Sequence, residues 1–94
     1  MTIQMSTFEL VPHEHVVFTE FDAGEGVLVD LNTKKYFRLN ETALIVWRGL
    51  EKNRTLAEMV EEITARYDVT PEHATESVRR LLENLRAFKL VRPR

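Results

Sequence analysis

Ninety-four residues make one domain, and a chain this short buries only roughly 60–65% of the surface its unfolded form exposes, which argues against a second domain or a deep substrate cavity. With 44% apolar and 30% charged side chains, three glycines and three prolines, the composition is that of an ordinary globular protein and excludes wholesale disorder. The absence of cysteine excludes disulfides, thiolate zinc sites and thiol nucleophiles, and the net charge is −2.

Residues 1–12 show no periodicity and end in Pro12, so they read as an irregular N-terminal arm, with the folded domain expected over residues 13–94. Val16-Val17-Phe18-Thr19-Glu20-Phe21 is β-branched and aromatic, and the glycines of Asp22-Ala23-Gly24-Glu25-Gly26 suit a turn. A second strand from Val27 to Leu31 alternates Val27, Val29 and Leu31 against Leu28 and Asp30. Asn32-Thr33-Lys34-Lys35 then turns the chain into a third strand, Tyr36-Phe37-Arg38-Leu39, completing an antiparallel meander.

After Leu39 the apolar period changes from two to about 3.6. Asn40 is placed to cap a first helix from Glu41 to about Lys52, whose Ala43, Val46, Trp47 and Leu50 share one face. Thr55 and Glu58 form a capping box for a second helix with Leu56, Met59, Val60, Ile63 and Tyr67 as its buried stripe. Thr70 and Pro71 open a third helix, with Ala74, Val78, Leu81, Leu85 and Phe88 as its stripe and Leu82 beside it, towards the polar side. Lys89 to Arg94 reads as a short strand or extended tail that Pro93 stops. The order βββααα predicts an α+β domain in which the three-helix bundle covers one face of a three-stranded antiparallel sheet.

No apolar run approaches the roughly 20 residues of a membrane span, and Met1 to Leu10 lacks the layout of a signal peptide, so a cytoplasmic location is expected. Residues 1–70 carry 7 basic and 12 acidic side chains, residues 71–94 carry 6 and 3, which makes the C-terminal quarter attractive to anions.

Several segments resemble the PqqD-like family, the leader-recognition domains of ribosomally made peptide pathways. They are Gly26-Val27-Leu28-Val29-Asp30, Tyr36-Phe37-Arg38-Leu39-Asn40-Glu41-Thr42-Ala43, Trp47, Arg54-Thr55-Leu56, Tyr67-Asp68-Val69, Leu82-Glu83-Asn84-Leu85 and Leu90-Val91. The likeness runs over roughly residues 13–92, and Leu-Asn-Glu-Thr-Ala is its most specific part. The second and third strands are also similar to the stand-alone leader-binding proteins of lasso-peptide systems, although Lys34-Lys35 stands where many relatives carry a glycine-containing turn. The resemblance implies a winged helix-turn-helix-like peptide chaperone without chemistry of its own. In it, a precursor's leader lies antiparallel to the third strand, in the cleft between that strand and the third helix. The implied partners are that leader and a modifying enzyme: a radical enzyme, a leader peptidase or another maturase.

The residues lead to a compatible cleft, because a three-stranded meander keeps two open edges and an edge strand is a template for another chain. With Val78, Leu81 and Leu85 inward, Arg79, Leu82, Glu83 and Arg86 would share an adjacent face with Leu82 as its apolar floor. The expected peptide-binding set is therefore Lys35, Tyr36, Phe37, Arg38 and Leu39 on the strand with Val78, Arg79, Leu82, Glu83 and Arg86 on the helix. Tyr36 and Arg38 would project away from Phe37 and Leu39.

Other chemistry finds little support. His13-Glu14-His15 lacks a third or fourth ligand, with His73 far along the chain, so no metal is expected. No nucleophile elbow, paired catalytic carboxylates or phosphate-binding glycine loop is present, and neither enzymatic activity nor a cofactor is expected. Glu58, Glu61 and Glu62 read as a solvated helix face. Two alternatives remain: a winged-helix DNA-binding regulator using Arg79, Arg80 and Arg86, weakened by Glu72, Glu76 and Glu83 on the same helix, and a structural subunit that docks on an enzyme. An open edge also permits a homodimer.

Overall fold

A computed structural model describes residues 10–21 and 24–94. Its elements are β1 (Leu10–Pro12), β2 (Val16–Phe21), β3 (Glu25–Asp30), β4 (Lys35–Leu39), α1 (Glu41–Glu51), α2 (Leu56–Arg66), α3 (Pro71–Ala87) and β5 (Val91–Pro93). β2, β3 and β4 form the expected antiparallel meander with β3 in the middle, and the three helices follow it, giving the winged-helix-like α+β fold. Among the described residues no helix is long and apolar enough to cross a membrane.

The helix ends follow from their caps. The Asn40 side chain accepts from the Ala43 amide at 2.9 Å, Thr55 and Glu58 bond reciprocally, and Thr70 accepts from the His73 amide with Pro71 opening α3. Each cap satisfies an amide that the helix itself leaves unpaired.

The N-terminal arm departs from expectation where it is described. Residues 1–9 lie outside the described residues, but Leu10–Pro12 is a strand paired with Val91–Pro93, in register Leu10 to Pro93 and Pro12 to Val91. Leu10 belongs to the core, and Arg92 donates to Glu14 at 2.8 Å across the base of this two-stranded ribbon. Three residues are too few to show alternation, and their partner lies some 80 positions away, so local pattern carries no trace of the pairing.

α1 is the central helix. Leu44, Ile45, Val46, Trp47, Gly49 and Leu50 are all buried, a wider belt than the single face predicted, because the sheet packs on one side and α2 on the other. Gly49 permits this contact: a Cβ there would stand 2.6 Å from the Met59 methyl, so α1 and α2 approach through it.

The largest correction concerns α3. Its buried residues are Ala74, Val78, Leu82 and Leu85, whereas Leu81 is only partly buried and Phe88, at 53% exposure, caps the helix from outside the core. Leu82, expected as the floor of a surface cleft, retains only 9% of its exposure. The observed stripe keeps Ala74, Val78 and Leu85 but takes Leu82 in place of Leu81, which turns its centre by about 35°. Leu82→Asp, which buries an uncompensated charge, is expected to cost about 3 kcal/mol or more and to lower the melting temperature by over 10 °C. Leu81→Asp should cost far less; thermal unfolding followed by circular dichroism compares the two.

Candidate functional site

The site is built around β4, one of the two edges of the sheet. The Leu31 amide donates to the His15 carbonyl at 2.9 Å, and this bond sets the parity of the ladder. Odd-numbered residues of β2 face β3, the even-numbered residues of β3 face β4, and by the register Lys35, Phe37 and Leu39 turn their main-chain groups inward. The amides and carbonyls of Tyr36 and Arg38 are left pointing away from the sheet.

The turn before β4 holds this register in place. Asp30 ends β3 at 3% exposure, and its carboxylate accepts from the Asn32 amide at 2.8 Å and the Thr33 amide at 3.2 Å. His15 lies beside it, Nε2 3.6 Å from Oδ1. Burial raises the carboxyl's pKa, but the two amides and the neighbouring histidine outweigh it, and the net displacement is below the ordinary value of 3.8. The turn closes with Lys34 at φ 64°, the left-handed conformation usual for glycine, so the lysine stands in a turn of glycine-type geometry.

Between β4 and α3 lies a groove of about 540 Å³ lined by Glu25, Arg38, Leu39, Asn40, Thr42, Ala43, Ser77 and Leu81. Leu39 and Ala43 supply its apolar wall from the β4–α1 junction and Leu81 its wall from α3. Arg38 bonds Glu25 at 2.8 Å along the strand side. Towards the start of β4 the aromatic pair Phe37 and Phe88, with ring centroids 5.2 Å apart, joins the strand to the end of α3. Away from the groove, on the other flank of α1, Tyr67 donates to Glu41 at 2.9 Å, which ties the end of α2 to the first turn of α1 and raises the tyrosine's pKa through that bond, burial and the carboxylate's charge.

Of the residues expected to bind peptide, those on β4 lie together along one edge, and those on α3 lie in the core or on the flank away from it. Lys35, Tyr36 and Arg38 are exposed, Tyr36 at 74%, while Phe37 and Leu39 turn towards the helices. Val78 and Leu82 lie in the core and offer no surface. At about 100° per residue, Arg79, Glu83 and Arg86 fall on the flank of α3 opposite to Ser77, Leu81, Asn84 and Phe88, and only the latter flank meets the groove and β4. This placement has one source: Leu82 rather than Leu81 enters the core. The spacing Ala74, Val78, Leu82, Leu85 was an equally regular stripe and was the available signal. Ala43 and Ser77, small residues that leave the groove open, were missed because neither carries a chemical signature.

The remaining candidates are occupied structurally. The rings of His13 and His15 pack 4.1 Å apart and Glu14 bonds Arg92. Glu58 serves its capping box, and Glu62 bridges Arg54 and Arg66. On α3, Arg80 lies 3.8 Å from Glu76, which offsets the basic face a duplex would need.

Comparison with known proteins now decides the family. The family described as coenzyme PQQ synthesis protein D (PqqD) matches residues 25–91, the stretch from the start of β3 to the start of β5. This chain belongs to the PqqD family. Among solved structures it is similar to TbiB1 in complex with the TbiA(beta) leader peptide, at 30% identity and a TM-score of 0.78, covering 86% of this chain and 93% of that one. It also shares its fold with lasso peptide synthetase B1 complexed with the leader peptide, at 24% identity and a TM-score of 0.82, covering 90% and 99%. No curated protein sequence matches the chain.

Because its folded pKa is depressed, Asp30 contributes stability that is present above 3.8 and lost as pH falls through the lower folded value. Urea unfolding at neutral pH and near pH 3 should therefore show a steeper acid loss for the wild type than for Asp30→Asn, whose amide oxygen keeps the turn without titrating.

Proposed function

We propose that this PqqD-family protein is a non-catalytic peptide chaperone: it captures the leader segment of a ribosomally made precursor and presents it to a modifying enzyme. The leader adds a strand to β4, antiparallel to it, bonding the main chain of Tyr36 and Arg38 while its apolar side chains enter the groove of Leu39, Ala43 and Leu81. The observation that carries this reading is the open β4 edge lying directly beside an apolar groove. The 30% identical relative, itself described with a leader peptide, supports it. The partner enzyme is a radical enzyme, a leader peptidase or another maturase, and the site of action is the cytoplasm.

Strand addition makes a distinctive demand on the edge. Arg38→Pro deletes an outward amide while leaving the β3 ladder, since proline is tolerated where the amide faces away from the sheet. With a synthetic leader from a precursor peptide encoded beside this chain, fluorescence titration is expected to show roughly fivefold to tenfold weaker binding for Arg38→Pro and about tenfold for Leu81→Asp. Arg79→Ala and Glu83→Ala, on the far flank of α3, should bind as the wild type does. Saturable wild-type binding that neither Arg38→Pro nor Leu81→Asp weakens would overturn the proposed cleft.

A further inference from the structure

The sheet has a second edge, and nothing in the leader-binding reading uses it. By the parity that leaves Tyr36 and Arg38 outward on β4, the main-chain groups of Val16, Phe18 and Glu20 point outward on β2. The Val16 amide turns back to the His13 carbonyl at 3.1 Å, whereas Phe18 and Glu20 have no main-chain partner on that side among the described residues. β2 also lacks the usual protections of an edge: its six residues pair one-to-one with β3 without a bulge and contain neither proline nor lysine. Its single charge, Glu20, is answered by Arg48 of α1. On the solvent face it exposes Val17 at 44% and Phe21 at 50%.

We infer that β2 is a self-association edge, pairing antiparallel with β2 of a second copy about a two-fold axis through Thr19. The strand is complementary to itself in this register, whereas an axis through Phe18 would need the Val16 amide, already given to His13, and one through Glu20 would set two Glu20 side chains opposite each other. An axis between residues would oppose inward and outward side chains, whereas centring on Thr19 keeps both faces in phase. Phe18 and Glu20 of one copy then exchange both main-chain bonds with Glu20 and Phe18 of the other, four hydrogen bonds in all, satisfying the outward groups the monomer leaves open. On the solvent face Thr19 meets Thr19, and each Val17 meets the other copy's Phe21, pairings of the kind that stabilise antiparallel ladders. β4 is less suited to the same use, because it carries Lys35 and Arg38 within five residues. The product is a six-stranded sheet with a β4 edge free at each end. A junction of one strand pair is far smaller than a standard interface, so the dimer forms with low affinity.

The first measurement uses the whole chain without any leader. Sedimentation equilibrium over about a hundredfold range of concentration is expected to show the mass rising from 11.0 kDa towards twice that value. Glu20→Pro, which removes an outward amide, and Val17→Lys, which charges the pairing face, should each hold the mass at the monomer value with an unchanged circular dichroism spectrum. The chain has no native cysteine, so Thr19→Cys supplies a lone thiol beside its own copy and should yield a disulfide-linked dimer on mild oxidation, while Thr33→Cys, in the turn, should not. A wild type that stays monomeric throughout, or a dimer that survives both β2 substitutions, overturns the inference. So does a dimer dispersed by leader peptide, which would place the contact at β4. Loss of leader binding with the dimer intact would instead count against the proposed function alone, since pairing through β2 does not involve β4.

Discussion

The β4 edge depends on the buried carboxylate of Asp30. It closes the β3–β4 turn by accepting two amides, and the turn fixes the one-to-one register that runs from Asp30 and Lys35 to Gly26 and Leu39. A slip of one residue would turn Phe37 and Leu39 to solvent and Tyr36 and Arg38 into the helices, exchanging an apolar inner face for a charged one. The same slip would exchange which residues offer their amides and carbonyls at the open edge. One short-range interaction thus decides both what the core contains and what β4 presents.

Much of the architecture was legible because its causes are local. Asn40, Thr55 with Glu58, and Thr70 with Pro71 marked all three helix starts, and each cap is made by neighbouring atoms. The β2–β3–β4 meander was legible for the same reason, since its strands are joined by short turns. The β1–β5 ribbon was not, because its partners lie some 80 positions apart in the chain. Lys34 marks a different limit: residue identity argued against a glycine-type turn, yet the bond from its amide to the Asp30 carbonyl at 2.7 Å and the Asp30 cap hold the left-handed conformation despite its cost.

The candidate site divides along the same line. On β4 the alternation of period two allows only two assignments, and the apolar Phe37 and Leu39 select one. On α3 two adjacent leucines, about 100° apart, fit almost the same stripe, and the choice of which enters the core decides which flank of the helix carries the exposed one. Local pattern cannot separate them, because the difference lies in which leucine meets the core formed by α1 and α2. Leu82 does, and Leu81 is left beside Leu39 and Ala43.

The groove's composition bears on how selective the proposed recognition is. Strand addition takes its affinity from main-chain bonds that any extended peptide supplies, so discrimination must come from side chains along the path. Here that path offers three modest apolar contacts and the Arg38–Glu25 pair, whose charges largely answer one another. A buried polar partner would reject peptides lacking a matching group by a large factor, whereas apolar contacts discriminate by only about 1–3 kcal/mol for each methylene or so. In the proposed strand addition such a groove would favour leaders with suitably spaced apolar residues over any single sequence.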